Sequence, residues 1–462
     1  MAPDGPVGPG HDGRTGVVLP DDPGGIGRTT RRPSLRRDAF WSALDAGVSG
    51  IFSLVTSFLV ARLVGPQALG IGTAATALNV VLWVAVNALF ADALVQQPEL
   101  TEREASSAFW GSCLIGLGAA VLQAAVGWVL ASMLDDQRLI GMALALALPL
   151  PLVGAAGVVQ GLLTRERAYR RLALRTIFGQ GLGSAVGIAG ALAGLGPWAI
   201  VLQQALGATT GALALLLGRG WRPLAAFDRA ALRRLLAIGL PLTGSTLVLI
   251  GRYRLFAVLI GASAGSTVLG EVHIAFRLVD TVRDLTSTAL WRLLLPVLSP
   301  LQSDRKAMLA QVDRWMRLIG LVMLPVCAVL AFGLSHGVVR VMGPAWQSAG
   351  PAALPLVGLM AIGVLTFPAS VALVAAGGVR IALYGHVASL LLTCAGVLLI
   401  PPSNAWQAVM VWCGSQILLL PYTLWTNARA LGVGPLRPLF GLFMIVRPQI
   451  EALPAIRARA GS

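Results

Sequence analysis

Charge is scarce in this chain. Asp, Glu, Lys and Arg make up 12% of its 462 residues, whereas a soluble domain carries about 25%. Lysine is almost missing: Lys306 stands alone against 34 arginines, which reads as coding bias rather than chemistry. There are only four cysteines, Cys113, Cys327, Cys394 and Cys413. Each sits inside an apolar run without metal-ligand spacing, so neither a metal site nor a disulfide framework is indicated and small core residues are expected. Also missing are a nucleophile triad, a phosphate loop and any long polar loop that could hold a catalytic domain. His336 and His386 are isolated and read as structural. Residues 1–37 contain no short apolar core followed by a cleavage site, so no secretory leader is expected there.

Apolar sequence is what remains. Hydrophobic residues account for 56% of the chain, and the mean hydropathy is +0.78. A protein this size cannot bury so much apolar surface in its own interior, so lipid must solvate it. In lipid only helices or closed barrels satisfy the backbone. The apolar runs last about 20 residues without alternation, which selects helices. The class expected is an all-α integral membrane protein with about twelve transmembrane helices. They are placed at 39–63, 70–95, 106–133, 139–163, 174–195, 198–217, 236–261, 266–298, 316–336, 352–376, 381–400 and 406–428. The apolar stretch at 439–446 is too short to span.

The basic residues test this count. The net charge of +15 would suggest nucleic acid in a soluble protein, but here the arginines lie between the apolar runs and no nucleic-acid partner is expected. Of 35 basic residues, 27 fall in segments that the alternation places inside, and only Arg62, Arg138 and Arg340 fall outside. That asymmetry follows the positive-inside rule at every loop and puts both termini in the cytoplasm. The expected organisation is a disordered basic tail at 1–37, a six-helix bundle at 38–218 and a cytoplasmic linker at 219–235. A second six-helix bundle follows at 236–430, then a tail at 431–462. A short repeat supports two halves in parallel orientation: Gly65-Pro-Gln-Ala-Leu-Gly70 and Gly265-Ser-Thr-Val-Leu-Gly270 occupy matching outer turns.

Three stretches carry a resemblance. They are FLVARLVGPQALGIGTAATAL at 58–78, the basic loop and Gly-rich helix through the Gly-Pro-Trp-Ala turn at 162–204, and FDRAALRRLLAIGLPLTGS at 227–245, with a later match near 341–354. Together they resemble the polysaccharide transporter (Wzx-type) family of the MOP flippase superfamily, which exports lipid-linked oligosaccharides and is related to the MATE transporters. The resemblance covers nearly the whole membrane region. It implies two bundles forming a V around a central cavity, and alternating access. One departure is visible: Phe256 stands where the family often has an acidic residue near the end of helix 7.

Five arginines remain inside the apolar runs: Arg252, Arg254, Arg277, Arg283 and Arg292. An ionisable group in a membrane costs at least a few kcal/mol unless it is paired or wetted. In helix 8, His273, Arg277, Asp280, Asp284 and Thr288 share one face. Arg252 and Arg277 are both expected near the midplane, about 14 and 17 Å from the outer end, whereas Arg254 points about 200° away from Arg252. Two readings are open. Arg277 could be clamped to Asp280 or Asp284. Alternatively, Arg252, Arg254, Arg277, Arg283 and His273 line a wet cavity that attracts a pyrophosphate, with Asp280 and Asp284 in a pairing or coupling role. Arg292 reads as snorkelling near the inner interface. Asp45 and Asp92 lie near helix ends, so the middle of helix 2 offers Asn79 and Asn87 but no carboxylate. Gly179, Gly183 and Gly187 read as a close-packing ridge.

The function expected from these readings is a non-enzymatic flippase for polyprenyl-pyrophosphate-linked oligosaccharide in the bacterial cytoplasmic membrane. No cofactor or metal is expected. The expected partners are the lipid-linked substrate, membrane lipid, and polysaccharide polymerase and chain-length or export proteins. A cation-coupled multidrug antiporter and a membrane glycan polymerase or ligase are the alternatives. The lack of a mid-helix acid disfavours the first and the short outer loops disfavour the second.

Overall fold

The computed structural model describes residues 35–97, 99–218 and 221–434. Among the described residues every regular element is helical: α1 Leu35–Gln96, α2 Glu102–Met133, α3 Arg138–Ala147, α4 Leu150–Arg165, α5 Tyr169–Leu192, α6 Pro197–Leu217, α7 Arg229–Leu298, α8 Arg305–Met342, α9 Ala349–Ala375, α10 Val379–Leu399 and α11 Ala405–Leu431. Among the described residues, ten segments are long and apolar enough to cross a membrane. The stretch at 439–446 and most of both expected tails lie outside the described residues.

Two of the ten spans are double. α1 breaks at Gly65 (φ 78°, ψ 173°) and α7 at Gly265 (φ 86°, ψ 170°), in a backbone region that glycine enters without strain. The arms fold back on each other. Tyr253 and Phe276 stack with ring centroids 5.0 Å apart, although 23 residues of straight helix would separate them by about 35 Å. Ser53 and Thr76, on opposite sides of Gly65, line one cavity. Counting each arm gives the twelve crossings expected from the sequence.

The boundaries differ in instructive places. The helix expected at 139–163 is interrupted between Ala147 and Leu150, where Pro149 and Pro151 open a fresh helix. α7 starts at Arg229, inside the expected linker, because Asp228 caps it by accepting hydrogen bonds from the amides of Ala230 and Ala231 at 2.8 and 3.2 Å. α8 starts eleven residues earlier than expected. The Asp304 cap sets its first turn, and the basic stretch from Arg305 to Arg317 is helical rather than loop.

The halves meet at both ends. At the end carrying the glycine turns, Gly70 meets the carbonyl of Ser266 and Gly270 meets the carbonyl of Pro66. At the opposite end the linker is strapped to α2. The hydroxyls of Ser106 and Ser107 accept from the amides of Leu224 (2.9 Å) and Asp228 (2.8 Å), Trp110 Nε1 donates to the Leu224 carbonyl (2.9 Å), and Arg234 pairs with Glu104 at 2.9 Å. Leu235 is buried with Leu89, Phe90 and Val158, so the first turns of α7 pack on the first half. Trp110, near the start of α2, thus carries a specific contact to the linker. The Gly179–Gly183 ridge of α5 packs against Gly207 and Gly211 of α6, as a close-packing surface should. Cys327 and Cys413 are buried, Cys113 and Cys394 half-buried, and all four are free.

Candidate functional site

A cavity of about 550 Å³ lies between the two halves. The four helical arms built around Gly65 and Gly265 frame it, because each fold-back brings a second helical face to the centre. From the second half come Arg254, on the first arm of α7, and His273 and Arg277, on its second arm. The rest of the wall belongs to the first half and carries one charge, Arg175 on α5.

The spacing along α7 decides which arginines face the cavity. Positions 252 and 254 point to nearly opposite sides of a helix. Arg254 faces inward, with its guanidinium 5.6 Å from the Tyr253 ring centroid. Arg252 faces the second half's own core. It donates to Ser389 Oγ at 2.6 Å and to Gln416 Oε1 at 3.1 Å, and lies 4.6 Å from the Trp412 ring centroid. The expectation that Arg252 and Arg277 share one wet cavity is therefore corrected. Similar depth does not imply a similar face, and Trp412 and Gln416 of α11 supply a partner set that sequence order could not reveal.

Arg277 is not clamped to an acid. Its guanidinium donates to the Ser53 hydroxyl on α1, and its buried Nε has no partner. Asp280 is instead paired with Arg283 at 2.8 Å, and Asp284 with Arg283 at 3.2 Å. Arg283 is thus neutralised by two carboxylates and does not line the cavity, which corrects the inclusion of Arg283 in the cavity set. His273 shares a hydrogen bond of 3.2 Å between Nδ1 and the Tyr253 hydroxyl, which fixes its ring beside the Tyr253, Phe256, Phe276 and Trp412 aromatic cluster. Phe256, at the position where the resembled family often has an acid, is fully buried in that cluster.

Arg175 was missed from sequence because it counted as one more inner-loop charge. Its one signal was position: it lies a full turn beyond Arg171, already inside the helix. Its guanidinium donates to Gln160 Oε1 on α4. Among the described residues Arg175, Arg254 and Arg277 have no carboxylate within salt-bridge distance, and no carboxylate lines the cavity. An electropositive pocket with neutral walls is built to receive an anion. No group of His, Cys, Asp and Glu among the described residues is placed to hold a metal ion.

A helical bundle of two halves around an internal cationic cavity is a membrane-transporter architecture. A family model described as "Polysaccharide biosynthesis protein" matches residues 59–351, and the chain belongs to that family. It is 25% identical over 282 residues to the succinoglycan biosynthesis transport protein ExoT of Rhizobium meliloti (strain 1021), covering 60% of this chain. The match spans 56% of that relative's length. Among solved structures, the lipid II flippase MurJ in an inward closed conformation superposes with a TM-score of 0.67 at 12% identity, over 89% of this chain and 93% of that one. An inward-facing multidrug resistance MATE transporter of the MOP superfamily superposes with a TM-score of 0.60 at 14% identity, over 84% and 98% of the two chains. The fold is the one that these two solved transporters share.

Proposed function

We propose that this protein is a flippase that moves a polyprenyl-diphosphate-linked oligosaccharide from the inner to the outer leaflet of the bacterial cytoplasmic membrane, for surface or secreted polysaccharide. Both termini lie in the cytoplasm, and the polymerase and chain-length or export proteins act downstream as partners. The observation that carries this reading is the set of Arg175, Arg254 and Arg277 around one cavity, with no carboxylate among its lining residues. A guanidinium offers a planar fork of donors that fits a diphosphate, and its charge attracts one. A diphosphate bearing sugars cannot cross about 30 Å of hydrocarbon unaided, so a water-lined basic cavity supplies the path. The lipid tail stays in the bilayer while the headgroup crosses. No covalent bond is made or broken.

The same observation weighs against a drug–cation antiporter, which needs an acid in the cavity to attract its cationic cargo. Family membership and the succinoglycan transport relative support the glycan reading.

Proteoliposomes loaded with the lipid-linked glycan extracted from cells lacking the protein provide the test. With the protein present, the fraction of glycan open to an added glycosidase should rise with time. It should stay flat in empty vesicles and with Arg277→Ala. Equal rates with and without the protein overturn the proposal.

A further inference from the structure

The first-half wall of the cavity has a character that an anion site does not require. Apart from Arg175, its polar residues are all neutral hydroxyls and amides. The side chains of five of them, Ser57, Thr73, Asn87, Ser184 and Gln203, make no hydrogen bond within the protein among the described residues. Thr73, Asn87 and Ser184 are 2%, 8% and 6% exposed, and the little surface they keep opens onto the cavity. Other polar groups on or beside the same wall are spent. Gln204 donates to Asn79 Oδ1 at 3.0 Å, Asn79 donates to the Leu146 carbonyl at 3.0 Å, and Gln180 donates to Ser49 Oγ at 2.8 Å. Polar side chains that face a cavity and spend none of their donors and acceptors on the protein are left to bond whatever fills it, a ligand or its water.

The chemistry of the patch names the ligand. Carboxamides and hydroxyls both donate and accept, as sugar hydroxyls do, and none of them charges the wall. The half-buried indole of Trp83 adds an apolar ring on the same wall, the partner that the C–H face of a pyranose takes. The cavity therefore has two chemically distinct sides: a neutral hydrogen-bonding side from the first half, and a cationic side from α7.

We infer that the first-half wall, through Thr73, Asn87, Ser184, Gln203 and Trp83, is a carbohydrate-binding face that holds the sugars next to the diphosphate while α7 holds the diphosphate itself. The inference rests on the flippase reading above and adds where the glycan is recognised. Selectivity among glycans then resides in the first half, and a site built to satisfy sugar hydroxyls discriminates against headgroups that lack them.

The test separates the two sides with a sugar-free probe, farnesyl diphosphate. Asn87→Leu and Gln203→Leu remove hydrogen bonding at similar bulk, and Thr73→Val does so with little change of shape. For each purified full-length variant, the shift in unfolding temperature given by farnesyl diphosphate should match the parent. That match also shows that the variant is folded. In cells lacking the native copy, Asn87→Leu with Gln203→Leu should lower glycan export about tenfold, the loss of one to two neutral hydrogen bonds. Arg277→Ala should instead lose the farnesyl diphosphate shift. Export at the parental rate in all three wall variants overturns the sugar face while leaving the diphosphate reading intact. Loss of the farnesyl diphosphate shift in Thr73→Val also overturns it, because the wall would then be holding the anion. No shift in the parent overturns both readings.

Discussion

Gly70 lies so close to the carbonyl oxygen of Ser266 that a β-carbon at position 70 would sit 1.7 Å from it. The relationship is reciprocal, since a β-carbon at Gly270 would sit 1.9 Å from the Pro66 carbonyl. Two residues 200 positions apart thus occupy equivalent places in a near-symmetric contact between the halves, next to Leu69, which lines the cavity. Gly70→Ala and Gly270→Ala should each disfavour the closed state, because overpacking of this kind costs about 1–3 kcal/mol, roughly a 5- to 150-fold change in population. A cysteine introduced at Thr73, in a background lacking the four native cysteines, reports it. Labelling by an impermeant maleimide from the face bearing residues 65–70 should rise at least several-fold in Gly70→Ala. Unchanged labelling would show that this contact is not the closure.

That contact also shows what the sequence made legible. The hexapeptides at 65–70 and 265–270 are a weak repeat on paper, but both glycines of each are needed: one for a positive φ at the fold-back, one for backbone approach across the halves. Helix number and placement were readable because about 20 apolar residues per crossing and the arginine asymmetry report the same property, residence in lipid. The site was readable only in part. Arg254, His273 and Arg277 were recognised as ionisable groups in apolar runs. Whether such a group faces a cavity, a partner or its own bundle depends on which helices pack against it, and this separated Arg252 and Arg283 from the rest. Arg175 was hidden because a charge one turn inside a helix end resembles a loop charge. Of the uncharged wall only Asn87 stood out, as a polar group in the middle of helix 2; Thr73, Ser184 and Gln203 carry no signal until the cavity they face is seen.

Arg252 holds α7, α10 and α11 together through Ser389, Gln416 and Trp412. Arg252→Ala should lower stability by roughly 1.5–3 kcal/mol, the scale of hydrogen bonds to a charged group. Thermal unfolding in detergent measures this. The stabilisation by farnesyl diphosphate should survive. Normal stability with loss of that response would place Arg252 in the cavity after all.

Arg283 and its two carboxylates form a local charge-balanced unit. Arg283→Gln leaves Asp280, half-buried, without its partner at 2.8 Å. The double variant Asp280→Asn with Arg283→Gln should be less destabilised than the sum of the single variants, by about 1 kcal/mol for a pair this exposed. Strict additivity in unfolding measurements would mean that the two groups do not interact.

The strap at the opposite end is pH-sensitive in a defined direction. The amides of Ala231 and Ala230, which donate to the Asp228 carboxylate, hold its pKa below the usual carboxylate range. A depressed pKa in the folded state contributes stability at pH values above the ordinary carboxylate range, and the contribution disappears as pH falls through the depressed value. Tryptic cleavage after Arg222 and Arg229 should therefore be slow and constant from neutral to mildly acidic pH. A reporter of docking stable in acid, such as hydrogen exchange at Leu224, should show release only below the carboxylate range. Asp228→Asn should flatten that acid dependence, and an unchanged profile would exclude Asp228 as its source.

The central claim is transport of a finished lipid-linked glycan, and sidedness in cells tests it most directly. In a strain lacking this protein, lipid-linked oligosaccharide should accumulate while surface or secreted polysaccharide falls. An impermeant glycosidase added to spheroplasts should leave that accumulated intermediate intact, because it is stranded on the inner leaflet. Re-expression should restore both export and glycosidase access. An intermediate that accumulates in the deletion strain yet is cleaved from outside would contradict the assignment.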